Sequence, residues 1–165
     1  KEISEAGLKS EYGLQIGKTL KTNVGQGILA NDFMTKALIA ATSASDARMG
    51  GCELPVVINS GSGNQGITAS VPVKIYADEM GASEEELLRA LLVSDLITIH
   101  QKTGIGCLSA YCGAISAGCG CGFGSSFFGA SGCGFFFGSR SILPKIFGCC
   151  TSSLTEITLL LTITS

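Results

Sequence analysis

Apolar side chains recur at roughly helical spacing in the first part of the chain. Near the amino terminus they alternate with Lys and Glu at Ile3, Leu8, Leu14, Ile16 and Leu20. Residues three or four positions apart lie on one face of a helix, so this pattern predicts helical structure in the opening segment.

A second helical run is predicted from Asn31 to Met49. Its apolar stripe consists of Phe33, Ala37, Leu38 and Ala41. Asn31 or Asp32 is well suited to cap this helix, because a short polar side chain can accept hydrogen bonds from the unpaired N–H groups of the first turn.

The clearest helix signal is SEEELLRALLVSDLITIHQK, which begins at Ser83. Ser83 and Glu86 fit the S-x-x-E capping box, in which each side chain bonds the other residue's backbone N–H. The apolar positions that follow are Leu87, Leu88, Leu91, Leu92 and Ile97. Gly81 and Gly104 are predicted to stop helices just before and just after this run.

The next stretch, IGCLSAYCGAISAGCGCG over residues 105–122, contains almost only small or apolar residues. A helix of this kind requires close backbone approach on several sides, in a protein centre or a small-residue interface. Gly118 and Gly122 form a G-x-x-x-G pair, which raises the alternative of a membrane span. That alternative is disfavoured, because the run is rich in Gly rather than Leu and lacks flanking basic or aromatic belts.

Charge divides the chain in two. Beyond Lys102 only Arg140, Lys145 and Glu156 are charged, and the sequence after Gly122 has no convincing period. EITLLLTITS has strand propensity through Ile and Thr. We therefore predict a mainly α protein with a partial helical domain over residues 1–122. Residues 123–165 form an irregular Gly/Phe/Cys-rich tail, for which a frameshift or a lack of native structure is the working interpretation.

Composition narrows the functional classes. The chain has 165 residues, a net charge of −2 and eight Cys. That length suits one ordinary domain, and the scattered Lys and Arg offer no basic stripe for nucleic acid. Without a secretory signal, the Cys content favours a reduced, cytoplasmic location with thiols available for metal or redox work.

One polar loop carries candidate chemistry. GSGNQG, Gly61 to Gly66, fits the G-x-G-x-x-G pattern. A dinucleotide site would need a strand before it, for which LPVVI at residues 54–58 is a candidate, and a helix opening inside it. Pro72 is expected to disrupt such a helix, so the dinucleotide interpretation is disfavoured. The remaining interpretations are a nest of N–H groups and hydroxyls for a carboxylate or phosphate, and a flexible surface turn.

Three segments carry a family resemblance: DARMGG from Asp46, NSGSGNQGIT from Asn59, and LSAYCGA around Cys112. Together they resemble the L-cysteine desulfidase and L-serine dehydratase alpha-chain-like family, over about Lys1 to Gly122. The resemblance implies a helical lyase domain with an oxygen-sensitive 4Fe-4S cluster held by three cysteines. It implies β-elimination from L-cysteine or L-serine, giving pyruvate, ammonia and sulfide or water.

The resemblance also suggests site residues. Cys112 matches one cluster cysteine of the family. We expect the loop to bind the carboxylate of a small amino-acid substrate through Ser60, Gly61, Ser62, Gly63, Asn64 and Gln65. The catalytic base is not identified. His100 is one candidate, although a His near a helix end also suits the helix dipole, and Lys102 has the same two interpretations.

Departures from the family pattern leave alternatives open. The downstream C-D-G-A-x-x-x-C motif, the source of two expected cluster ligands, is absent; Cys149 and Cys150 are adjacent, and Cys107 replaces the usual Arg. The G-C-T-E-P motif of the family's amino-terminal half is absent too, so the chain is expected to be an incomplete domain of a carbon-sulfur or carbon-oxygen lyase, and both an active and an inactive form of this chain stay open. Cys119 and Cys121 are interpreted as small buried thiols rather than metal ligands. The alternative function is a non-catalytic binding or assembly module that packs through its Gly-rich helix in a homo-oligomer or against a partner subunit.

Overall fold

Six α-helices make up the regular structure of residues 1–106, 113–126 and 128, which the computed structural model describes. The helices are α1 (Glu2–Lys9), α2 (Ile16–Gly25), α3 (Phe33–Met49), α4 (Gly63–Met80), α5 (Glu84–Ile105) and α6 (Gly113–Ser126). The mainly α prediction is confirmed. The candidate strand at residues 54–58 is wrong: this segment is irregular, and an isolated bridge joins Asn59 to Ser62.

Two predicted helix starts are confirmed. Asp32 caps α3 by accepting a hydrogen bond of 2.7 Å from the Thr35 N–H. Ser83 and Glu86 form the predicted capping box of α5, with both reciprocal hydrogen bonds present. Local side-chain chemistry is sufficient to fix these two ends.

Helix ends were predicted less well. Gly81 ends α4 in the left-handed conformation, with φ of 65°, as expected. Gly104 does not end α5, which continues to Ile105 and is capped by Gly106 with φ of 87°. The opening segment also divides at residues 10–15, so that Leu14 is 82% exposed instead of facing a helical core.

The first two helices lie against α3 through glycines. A Cβ at Gly7 or at Gly17 would collide with Ser43 of α3, so both contacts need a bare backbone. Asp46 of α3 supplies a further link, because its Oδ2 atom accepts a 2.7 Å hydrogen bond from the Ile16 N–H at the start of α2. The α3 helix thereby fixes where α2 begins.

Helix α4 runs through Pro72, against the sequence expectation. That expectation rested on the missing N–H of proline, yet α4 begins at the loop and continues to Met80 with Pro72 buried inside it. Packing compensates for the loss: α4 contacts α3, α5 and α6, and ten of its residues are buried. Tertiary burial of this extent outweighs the local cost of proline in a helix, about 3 kcal/mol.

Two apolar clusters surround α4. One joins α1, α3 and α4 through Ile3, Ala40, Ala44, Ala47, Ile67 and Val71. The other joins α4, α5 and α6 through Val73, Ala90 and Cys121. The Gly-rich helix α6 is buried against both α4 and α5, as its small residues predicted.

Helix α5 buries mainly its smaller residues and leaves three of its five leucines exposed. The buried positions are Ala90, Ser94, Ile97, Thr98 and Gln101. Leu88 and Leu92 are each 59% exposed, and Leu96 is 56% exposed. Glycines on α6 require small partners at the contact, and this requirement decides which face of α5 is buried. Among the described residues, no helix has the length and apolar character needed to cross a membrane.

Candidate functional site

The GSGNQG loop forms a tight turn that leads directly into α4. Ser60 and Gly61 both have left-handed backbone conformations, with φ of 50° and 87°. The backbones of Asn59 and Ser62 exchange two hydrogen bonds, of 3.3 and 3.1 Å, which close the turn. Ser62 is the N-cap of α4 but its side chain makes no capping bond, so it leaves the first-turn N–H groups available to another acceptor.

Arg48 lies at the amino-terminal end of α4. Its Nη1 atom donates a 3.0 Å hydrogen bond to Asn64 Oδ1, in the first turn of the helix. The guanidinium also lies against Gly63: a Cβ at Gly63 would come within 3.0 Å of Arg48 Cζ. A positive charge is therefore held at the positive end of the helix dipole, an arrangement that favours a bound anion.

Asp95 reaches the other end of the loop from α5. Its Oδ1 atom accepts a 2.8 Å hydrogen bond from Asn59 Nδ2. The Oδ1 atom of Asn59 in turn accepts a 2.7 Å hydrogen bond from the Ser60 hydroxyl. A chain of hydrogen bonds thus runs from a carboxylate through a buried amide to a loop serine.

Neither charge at the loop is neutralised by a neighbour. Arg48 and Asp95 are half-buried, and no described residue forms an ion pair with either of them. Asp95 Oδ2 accepts no hydrogen bond within the described ranges. This pair of opposite charges, one near each end of the loop, makes the loop the candidate ligand site of the described residues.

Gln65 adds a buried polar group without a partner. This third residue of α4 is 8% exposed, and its Oε1 atom has no hydrogen-bond partner among the described residues. Its side chain lies against Gly113, the first residue of α6, where a Cβ would collide with it. The Oγ atom of the fully buried Ser116, one turn further along α6, also lacks a partner in the part of the chain that the structure describes. Unpartnered buried polar atoms are rare; of these two, Gln65 lies in the first turn of α4, beside the loop.

The structure brings the residues of the predicted loop together, whereas Cys112 lies outside the described residues. Sequence analysis missed Arg48, Asn59 and Asp95 as members of the site. Arg48 is part of the DARMGG segment, so that segment contained a usable signal. The sequence around Asp95 contained no such signal, because an acidic residue inside a helix rich in Glu and Leu does not differ from its neighbours.

The described residues do not form a cradle for a metal cluster. No group of three or more His, Cys, Asp or Glu side chains in residues 1–106 and 113–126 is placed to hold a metal ion. Cys119 and Cys121 are buried, and Cys121 packs with Val73 and Ala90 while its Sγ atom bonds the Gly118 carbonyl at 3.2 Å. Both thiols lie where the interpretation as small buried residues expects them.

The two basic candidates on α5 lie near its carboxyl-terminal end. His100 is exposed, and Lys102 is half-buried in the last turn of the helix. Both positions suit the negative end of the helix dipole. The structure adds no contact that would make either of them a base.

These features define, within the described residues, a helical domain with a polar loop that lies between a positive charge from α3 and a negative charge from α5. Comparison with known families gives this class a more specific assignment. The family model described as serine dehydratase alpha chain matches residues 1–130. The chain belongs to this family, and the resemblance carried by DARMGG, the loop and LSAYCGA is confirmed.

Several curated relatives are slightly more than half identical to this chain over the aligned region. A UPF0597 protein of Desulfitobacterium hafniense (strain Y51) is 54% identical over 130 residues, which cover 79% of this chain and 29% of the relative. One from Fusobacterium nucleatum is 58% identical over 118 residues, covering 72% and 28%. One from Treponema denticola is 56% identical over 122 residues, covering 72% and 28%. The chain therefore spans less than a third of the length of these relatives. No solved structure matches it.

Proposed function

We propose that this chain supplies the substrate-binding part of a lyase that removes the β substituent from a small amino acid, L-cysteine or L-serine. The observation that carries the proposal is Arg48, whose guanidinium has no carboxylate partner within the described residues and lies at the amino-terminal end of α4. Membership of the serine dehydratase alpha chain family supports the reaction class.

In the proposed site, the substrate carboxylate lies against Arg48 and the first-turn N–H groups of α4. Gly63 leaves the space that the guanidinium occupies. A fixed guanidinium binds a carboxylate through charge-assisted hydrogen bonds, and helix N–H groups add two or three donors. Binding at this end orients the α carbon toward the rest of the loop.

The reaction consists of an elimination followed by a hydrolysis. Loss of the α proton and of the β substituent, as sulfide or hydroxide, leaves aminoacrylate; water then converts this to pyruvate and ammonia. Carbanion character at the α carbon places negative charge beside the carboxylate. A guanidinium that already neutralises the carboxylate reduces that electrostatic cost.

The iron–sulfur cluster enters the proposal only through the resemblance of Cys112 to a family ligand. The described residues do not form a binding site for a cluster, so no step of the proposed reaction depends on it. Anaerobic reconstitution of the full chain with iron and sulfide tests this point by visible absorption. We expect Cys112→Ala to lose the cluster band and the control Cys52→Ala to keep it; a band that survives Cys112→Ala removes Cys112 from the ligand set.

Carboxylate binding is tested on the 165-residue chain with L-serine and with serinamide, which lacks the carboxylate. By calorimetry, L-serine should bind more tightly than serinamide. Arg48→Gln should weaken L-serine binding about tenfold or more, because it removes a charge-assisted contact. Arg89→Gln is the matched control, since Arg89 is exposed on α5 and pairs with Glu85. Equal affinity of L-serine for wild type and Arg48→Gln would contradict the proposal.

The alternative function, an assembly module, is supported by a different surface from the one predicted. Helix α6 is already covered by α4 and α5, whereas Leu88, Leu92, Leu96 and Ile99 form an exposed apolar stripe on α5. The relatives are more than three times as long as the matched region. We therefore propose that the remainder of the family polypeptide packs against this stripe. Copurification with that part of the Desulfitobacterium hafniense protein, lost in Leu92→Glu and kept in Leu14→Glu, would favour this function.

A further inference from the structure

The loop has a second charged end, which the binding of a carboxylate does not use. Asp95 is half-buried and holds its negative charge at the Asn59 side, whereas Arg48 holds its positive charge at the Asn64 side. Asn59 opens the turn and Asn64 lies in the first turn of α4 that follows it, while the charges come from two other helices, α5 and α3. Such an arrangement can bind both charges of a zwitterion.

The directions of the hydrogen bonds leave the Asp95 end of the loop able to accept hydrogen bonds from a ligand. An ionised carboxylate can only accept, so Asp95 requires the NH₂ group of Asn59 to face it. The carbonyl oxygen of Asn59 then faces Ser60, and the Ser60 hydroxyl must donate to it. The oxygen lone pairs of Ser60 are therefore left to accept from a ligand.

The burial of Asn59 holds its side chain in place and so fixes the directions of these hydrogen bonds. Asn59 is 7% exposed, and its backbone is tied to Ser62 by the two hydrogen bonds of the turn. Ser60 is held in a left-handed conformation, with φ of 50°, that residues with side chains seldom adopt. The hydroxyl is consequently fixed in position as well as in direction.

We propose that Asp95, acting through Asn59 and Ser60, selects ligands that carry an ammonium group, so that the loop binds α-amino acids and rejects 2-hydroxy acids. An ammonium group has three donors and no acceptor, which matches the accepting lone pairs of Ser60 Oγ and the negative charge that Asp95 holds behind Asn59. A hydroxyl group in the same place is uncharged and would gain no electrostatic attraction from the Asp95 carboxylate. This inference rests on the proposed carboxylate site, and it makes Asp95 a positioning and specificity-determining residue.

The test compares L-serine with glycerate, which differs by a hydroxyl in place of the ammonium group. Binding of each to the full chain is measured by calorimetry. Wild type should prefer L-serine by about tenfold or more, the ratio expected for one charge-assisted contact. Asp95→Asn should remove this preference, because its amide can present either a donor or an acceptor to Asn59. Asp95→Glu should restore part of it.

Two further variants keep the result interpretable. Ser60→Ala removes the accepting hydroxyl without touching Asp95, and it should also reduce the L-serine preference. Glu85→Gln changes an exposed acid on the same helix and should leave the preference unchanged. Thermal unfolding shows whether Asp95→Asn is folded; if it is not, Ser60→Ala decides.

The failure of this inference is distinguishable from the failure of the proposed function. If Asp95→Asn and Ser60→Ala keep the full preference for L-serine while Arg48→Gln weakens both ligands, the ammonium inference is wrong and the carboxylate site stands. If wild type binds neither L-serine nor glycerate, or Arg48→Gln changes neither, both are wrong. Loss of preference in Asp95→Asn and Ser60→Ala, with Glu85→Gln unchanged, supports both.

Discussion

The hydroxyl of Ser94 on α5 donates a 2.7 Å hydrogen bond to the backbone carbonyl of Ala69 on α4. Ser94 is fully buried, and this bond lies three residues before Pro72. It ties α5 to the part of α4 where proline interrupts the regular hydrogen-bond pattern. The carbonyl of Ser94 also faces Gly120 of α6, so three helices meet at this residue.

Ser94→Ala is expected to lower the free energy of unfolding by about 1–2 kcal/mol, because it removes a buried hydrogen bond. The measurement is urea unfolding, with the slope of the transition compared between variants. Thr103→Ala is the control: Thr103 lies on the same helix, is exposed, and bonds only the Ile99 carbonyl one turn away. Equal losses in the two variants would contradict a special role for Ser94.

Two glycines of α6 are expected to respond to alanine in opposite directions. At Gly120 a Cβ would collide with Thr98 Oγ1 and the Ser94 carbonyl, whereas at Gly118 it would meet none of the described residues within 4 Å. Gly120→Ala should destabilise the fold by about 1–3 kcal/mol through overpacking. Gly118→Ala should stabilise it by about 0.5–1 kcal/mol, because glycine is a poor helix former. Thermal or urea unfolding of the pair checks this, and equal effects would contradict the observed packing.

Gly63→Ala is expected to impair ligand binding without unfolding the protein. The added Cβ would displace the Arg48 guanidinium, while alanine itself suits the first turn of a helix. L-serine affinity should fall about tenfold, as for Arg48→Gln. Gly104→Ala is the matched control, since its Cβ would meet nothing within 4 Å. Unchanged L-serine affinity in Gly63→Ala would show that the guanidinium position is unimportant.

The Asp32 cap should make stability depend on acid. The Thr35 N–H bond lowers the pKa of Asp32 below its ordinary value of 3.8. A carboxylate whose pKa is depressed by folding contributes stability that is present above the unfolded value and is lost as pH falls through the folded value. Asp32→Ala should therefore lower the unfolding temperature at neutral pH, and the difference from wild type should shrink below pH 3.8.

Asp32→Asn provides the control for that dependence. Asparagine caps helices about as well as aspartate but does not ionise, so it should keep much of the neutral-pH stability while removing the Asp32 contribution to the acid transition. An acid transition that is unchanged in Asp32→Asn would mean that other carboxylates determine it.

Sequence predicted the local parts of this fold and missed the distant ones. Asp32 and the Ser83–Glu86 box could be found because each cap bonds a residue three positions away. The path of α4 through Pro72 could not, because burial against three neighbouring helices decides it. The exposed leucines of α5 were equally hidden, since the glycines of α6 determine which face is buried.

In the candidate site, too, the local part could be predicted from the sequence and the distant contacts could not. The loop itself was visible as a cluster of Gly, Ser, Asn and Gln. Its charges were not: Arg48 bonds a residue 16 positions away, and Asp95 bonds one 36 positions away. Contacts of that separation are created by helix packing, and no spacing rule in the sequence specifies them.

The origin of those two charges has a consequence for ligand length. Arg48 belongs to α3 and Asp95 to α5, and both helices pack directly on α4, so the gap between the charges is set by the distances between these helices. Closely packed helices change such distances very little. If the proposed site binds both charges of a ligand, it should accept one charge separation best, and the affinities of a graded series of ω-amino acids, each with its charges one methylene further apart, would measure that separation.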